Sequence, residues 1–230
     1  MGQVILTGNP SIEIELRRSA RSRRLSLRVS RLDGRVTLSV PLWTSHSEAA
    51  AFAREKEHWI RKNIDQRPTR NRPEIGAEVL FQGQLCPILP SNMRSVRYED
   101  GTLLVPGDVE RSPARLAGFM KQMARQRLAT ASDHYSQLLG QKYGRITIRD
   151  TRSRWGSCTT DGNLMYSWRL IMAPPEVLNY VAAHEVSHLV EMNHSPAFWG
   201  TVEGIFPHHA SPRKWLRRNG QQLHSYQFTD

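Results

Sequence analysis

The stretch Pro174-Pro175-Glu176-Val177-Leu178-Asn179-Tyr180-Val181-Ala182-Ala183-His184-Glu185-Val186-Ser187-His188 reads as a helix opened by proline that carries two histidines four positions apart. Proline suits the first helical position, where its missing N–H has no partner to lose, and Val177, Leu178, Val181 and Ala182 recur at helical spacing. Residues i and i+4 of a helix differ by about 40° in rotation and about 6 Å in rise, so the imidazoles of His184 and His188 project toward one point. Two such rings can share one ion. Zinc takes histidine nitrogen in tetrahedral geometry, and a catalytic zinc site uses three protein ligands and leaves the fourth place to water.

A third ligand is expected just beyond the helix, where Asn193-His194-Ser195-Pro196 supplies a histidine. Asn193 is expected to end the helix in the left-handed conformation that asparagine tolerates, which would turn His194 back toward the ion. Glu185 stands next to His184, placed to take a proton from the water. The pattern H-E-x-x-H-x5-H thus offers metal ligands His184, His188 and His194 with Zn²⁺ as the expected cofactor, and Glu185 as the expected general base.

Upstream, Arg154-Trp155-Gly156-Ser157-Cys158 reads as an edge strand able to receive substrate, because glycine permits close backbone approach, or as packing. A fourth ligand at Cys158 would close the site and leave Glu185 idle. Arg152, Arg154 and Arg169 can clamp a carboxylate or phosphate through paired guanidinium bonds, or serve structural pairs. His208 and His209 read as exposed loop histidines or as polarising groups.

The residues around the motif resemble the YgjP-like family, which belongs with the SprT-like zincin metallopeptidases. The resemblance rests on Arg154-Trp155-Gly156-Ser157-Cys158, the Asp161-Gly162 turn, Trp168-Arg169-Leu170, Pro174, Tyr180-Val181, His184-Glu185-x-x-His188-Leu189 and Asn193-His194-Ser195-x-x-Phe198-Trp199. It continues in Arg23-Arg24-Leu25-Ser26-Leu27-Arg28-Val29, Asp33-Gly34, Pro41 and Lys56-x-x-Trp59-Ile60. It implies a metal-dependent hydrolase with His184, His188 and His194 on zinc and Glu185 as the catalytic glutamate. The expected activity is that of a metallopeptidase; the alternatives are a zinc-dependent nucleoside-triphosphate pyrophosphatase and a nucleic-acid-associated zinc protein.

Farther out, alternating apolar and polar residues in Ile12-Glu13-Ile14-Glu15-Leu16, Leu25-Ser26-Leu27-Arg28-Val29 and Val36-Thr37-Leu38-Ser39-Val40 predict half-buried strands, with a hairpin turn at Asp33-Gly34. Ser45 and Glu48 make a capping box for one helix of about fifteen residues. Residues 67–73 read as a loop, and short strands are expected around 78–81, 84–89, 96–98 and 103–105. Ser112-Pro113 should cap a long helix whose Met120 and Met123 belong to a core stripe; Ile146-Thr147-Ile148 should be a strand, and Ser195-Pro196 and Ser211-Pro212 should open two more helices. No internal repeat is visible. The expected fold is α+β, a mainly antiparallel β-region with one helix at residues 1–110 and a helical zincin-like half with a small sheet at 111–230.

At 230 residues and 39% hydrophobic composition the chain can bury its own core. Net charge is +11, and residues 17–72 hold fifteen Lys and Arg against five Asp and Glu. Such a field suits nucleotides or weak association with nucleic acid as well as a solvated basic face. Peptide, protein or nucleotide substrates are expected partners. With two cysteines, no secretory pattern and no apolar run of membrane-spanning length, the expected setting is the reducing cytoplasm, away from membranes.

Overall fold

This computed structural model describes residues 2–30, 34–65 and 71–228. The fold is α+β, and residues 1–69 and 70–230 form two compact units.

In the first unit, β1 (Gly2–Leu6), β2 (Ile12–Arg18), β3 (Ser26–Val29) and β4 (Val36–Val40) form one sheet in the order β1-β2-β4-β3. β1 pairs antiparallel with β2 and β3 with β4, whereas β2 and β4 run parallel. The strict alternation in β2 turns Ile12, Ile14 and Leu16 inward, where they join Val4, Leu6, Val36, Leu38 and Val40. This apolar face is covered by Ala49, Ala50 and Ala53 of α1 (His46–Glu55) and Ile60 of α2 (Glu57–Asp65). Ser45 caps α1 by accepting a hydrogen bond from the Glu48 N–H. The single helix expected here is broken at Lys56, which leaves helical geometry at ψ 7° although no glycine or proline marks the place. β3 and β4 form the expected hairpin and Gly34 takes a φ of 73°; its partner Asp33 lies outside the described residues, as do residues 67–70 of the expected 67–73 loop.

In the second unit, β5 (Glu78–Phe81), β6 (Gln84–Ser91), β7 (Arg97–Glu99) and β8 (Thr102–Pro106) repeat the same strand order and the same sequence of antiparallel, parallel and antiparallel pairings. The chain therefore builds one four-stranded pattern twice without a repeat in its sequence. Both outer hairpins of the second copy close on two residues with positive φ, Gln82-Gly83 and Asp100-Gly101, the geometry that matches strand twist.

Val79, Phe81, Ile88, Leu103 and Val105 of this sheet share one core with Leu116, Met120 and Leu128 of α3 (Ser112–Leu138). The expected division at 110/111 is thus displaced: these strands bury their apolar face on α3 and belong with the helical half. The cap of α3 is Arg111, not Ser112, whose hydroxyl instead donates to the Val109 carbonyl. β9 (Ile146–Arg149), β10 (Gly156–Cys158) and β11 (Leu164–Ser167) make a third sheet, ordered β10-β11-β9, with β10 on its edge. After a 3-10 turn at Trp168–Met172 come α4 (Pro175–Ser187), α5 (Pro196–Ile205) and α6 (Ala210–Asn219). Ser195 caps α5 as expected, whereas α6 starts from His209 and not from Ser211. Among the described residues no helix is long and apolar enough to cross a membrane.

Candidate metal centre

α4 is buried on nearly every side, with Val177, Leu178, Val181, Ala182, Ala183 and Val186 inside the core, so it is anchored by packing rather than by amphipathicity. It lies against α3, α5, α6 and β10. The helix ends at Ser187 and makes His188 its cap residue, earlier than the expected stop at Asn193. Asn193 has no positive φ; its carboxamide oxygen accepts from the Ser195 N–H at 2.8 Å, and this local turn brings His194 back over α4.

The three rings converge as their spacing predicts. One nitrogen from each of His184, His188 and His194 lies within 4.8 Å of the others, and among the described residues this trio can hold a metal ion. His188 Nδ1 donates to the Glu191 carbonyl at 2.9 Å, because a carbonyl can only accept, so its Nε2 lone pair is left free to meet an ion. His184 Nε2 and His194 Nε2 stand 3.1 Å apart; two lone pairs at that distance repel unless a proton or a cation lies between them. Burial, reinforced by the neighbouring His188 and His194 and by Arg213 and His209, pushes the His184 pKa down to about 3. Burial also lowers His188, against the bond to Glu191. Both rings are therefore neutral at pH 7, the state a metal requires of its ligands. Three soft-borderline nitrogens suit zinc or a related divalent ion.

Glu185 points away from solvent at 6% exposure. Burial raises its pKa to about 8, partly offset by the positive charge of Arg154. Gly156 of β10 covers it so closely that a Cβ there would lie 2.5 Å from Glu185 Cγ and Oε1. Glycine is thus demanded by the carboxylate, and the edge strand expected from the sequence is placed beside Glu185. Cys158 lies on the same strand, raised to about 11 by burial and by Glu185, and is not part of the histidine trio that can hold an ion.

The remaining candidates divide. Trp155 stacks on His224 at 4.9 Å and Ser157 pairs with Met165 in the ladder. Arg154 is exposed and acts on Glu185 through its charge. Arg169 is not a substrate clamp: it is buried, donates through Nε and Nη2 to Asp150 at 2.7 and 3.1 Å, and through Nη1 to the Leu223 and Tyr226 carbonyls at 2.8 and 3.0 Å. His208 is exposed as expected, but His209 is half-buried and bonded to Glu203 at 2.7 Å.

Two contributors lie outside H-E-x-x-H-x5-H, one of them, Phe198, among the residues that carry the family resemblance. Phe198, fully buried on α5, has its ring 4.9, 4.5 and 4.8 Å from those of His184, His188 and His194 and forms the floor that aligns all three. Arg213 of α6 lies 4.3 Å over the Trp199 ring and brings positive charge to the same side. Only the packing shows that Phe198 is buried against the histidine trio.

Neutral imidazoles that can gather one ion over an aromatic floor, with a carboxylate held dry beside an edge strand, are the equipment of a metal-dependent hydrolase. Residues 23–219 match the family described as YgjP-like, metallopeptidase domain, and the chain belongs to that family. Among solved structures, the crystal structure of the metallopeptidase zymogen of Pyrococcus abyssi abylysin is similar at 21% identity over 41% of this chain and 93% of that one, with a TM-score of 0.36. No curated protein matches the chain.

Proposed function

We propose that the protein is a zinc-dependent peptidase in which His184, His188 and His194 hold the ion and Glu185 is the general base. The convergence of the three imidazoles within 4.8 Å carries this reading. A zinc ion held there supplies Lewis acidity, polarising a scissile carbonyl and lowering the pKa of water from 15.7 to about 7. Glu185 accepts the proton of the attacking water and returns it to the leaving amine. Its burial keeps its proton affinity high enough for that exchange near neutral pH. The open edge of β10 offers backbone groups to an extended peptide, and Gly156 keeps the peptide path close to Glu185.

The test combines elemental analysis of pure protein with cleavage of unfolded casein. Wild type is expected to retain about one zinc and cut casein, whereas Glu185→Gln retains the metal and loses about 10²–10⁴-fold in rate. A fully active Glu185→Gln protein removes the base from the proposal. Arg154 and Arg213 beside the site also suit a phosphoanhydride, so a nucleoside-triphosphate panel is run in parallel. Phosphate or pyrophosphate release without casein cleavage would replace peptide by nucleotide as the substrate.

A further inference from the structure

Six of the arginines of the first unit lie on β2, on β3 and on the connection between them. Arg17, Arg18, Arg21, Arg23, Arg24 and Arg28 are all exposed, and none of them pairs with a carboxylate among the described residues. Arg17 stands opposite Ser39 and Arg28 opposite Thr37, so β4 separates two guanidinium groups that share the outer face of the sheet. Arg21, Arg23 and Arg24 continue the positive surface along the connection from β2 to β3.

Beside this surface stands an aromatic side chain that the core does not use. The turn after β4 is closed by the Thr44 N–H donating to the Pro41 carbonyl at 3.3 Å, and it presents Leu42 at 56% and Trp43 at 74% exposure. Arg18 Nη1 donates to the Leu42 carbonyl at 2.8 Å, and the Ser19 N–H donates to the Val40 carbonyl at 3.0 Å. The turn that carries Trp43 is thereby held next to the arginine-bearing end of β2.

We propose that residues 17–30 and 34–43 form a docking surface for single-stranded nucleic acid. Guanidinium groups take phosphate oxygens in paired bonds, and an exposed indole beside them is a stacking platform for a base, which every nucleotide can use whatever its sequence. Duplex DNA keeps its bases stacked on each other and has no use for Trp43. An anionic membrane suits the charge equally, but Leu42 and Trp43 are the only large apolar side chains exposed in the described part of this span, too little to anchor a protein in lipid.

The experiment is fluorescence anisotropy of labelled oligothymidylate of about twenty nucleotides, a length that spans one or more single-strand sites, with the full chain, alongside sedimentation with phosphatidylcholine vesicles containing phosphatidylserine. The oligonucleotide is expected to bind with an affinity that falls steeply with salt. Trp43→Ala should weaken it about tenfold, the effect of one lost stacked base, and Trp43→Phe should restore most of it. Arg17→Ala combined with Arg21→Ala should flatten the slope of log K against log salt by about 1.4, from about 0.7 for each phosphate contact to a single strand. Circular dichroism melting of each variant checks that the exposed substitutions leave the fold intact. Absence of binding at low salt, binding that neither set of variants changes, a preference for duplex over single strand, or capture by vesicles alone would each overturn the proposal.

Discussion

At the scale of single residues, the site trades stability for chemistry. A buried carboxyl raised to about 8 binds a proton more tightly in the native state than in the unfolded chain. Its contribution is therefore complete below the ordinary glutamate pKa and is lost as pH rises toward 8. In metal-free protein, Glu185→Gln should raise the melting temperature, and the gain over wild type should be larger near pH 8 than near pH 6; thermal melts at the two pH values check the sign. The histidines behave differently, since a bound ion stabilises only the folded state. Chelation is expected to lower the melting temperature of wild type by several degrees and to leave His188→Ala nearly unmoved. Phe198→Ala removes the floor under all three rings. It should cost about 3–5 kcal/mol as a large-to-small core change and weaken metal retention in dialysis against a chelator.

At the scale of elements, the metal centre depends on one helix and one strand edge meeting without a side chain between them. The approach of β10 to α4 at Gly156 allows no Cβ, so Gly156→Ala must displace either the strand or the carboxylate. A misplacement of about 1 Å is enough to cost about 10²-fold in rate. The variant should lose casein cleavage to that extent while metal content, measured by elemental analysis, stays at the wild-type level. The motif helix is legible in the sequence because its proline start, apolar recurrence and i, i+4 histidines all belong to one continuous segment. Its end is not: the helix stops at Ser187, and the return of His194 depends on an Asn193–Ser195 side-chain turn that competes with helix continuation. The two four-stranded sheets behave alike. Each strand follows from alternation, yet the shared order with a parallel central pair comes from which strand edges remain open after the hairpins close.

At the scale of the molecule, the second unit is tied from its middle to its C-terminal segment. Arg169 joins Asp150 to the carbonyls of Leu223 and Tyr226, and the Trp155 indole lies on His224 on one side and against Gly220 on another. Arg169→Leu should cost about 3 kcal/mol, since it strands these acceptors, and would be read by urea unfolding. Burial, with the charges of Arg169 and Arg152, pushes His224 down to about 4 against the opposing charge of Asp150. The unfolded chain then binds the proton more readily, and the stability this ring contributes is lost as pH falls from about 6.5 toward 4. A melting temperature that drops over this window in wild type, and drops less in His224→Gln, checks the assignment. Local signals were sufficient for the α+β class, most strands, the proline-opened helices α3, α4 and α5 and the H-E-x-x-H-x5-H trio, because each of these depends on residues a few positions apart. Only the folded chain decided that Arg169 is structural, that strands 78–106 join the helical half, and that Phe198 and Gly156 shape the site. Those outcomes arise from contacts between segments tens of residues apart, where the energy lies in how surfaces fit and no spacing along the chain records it.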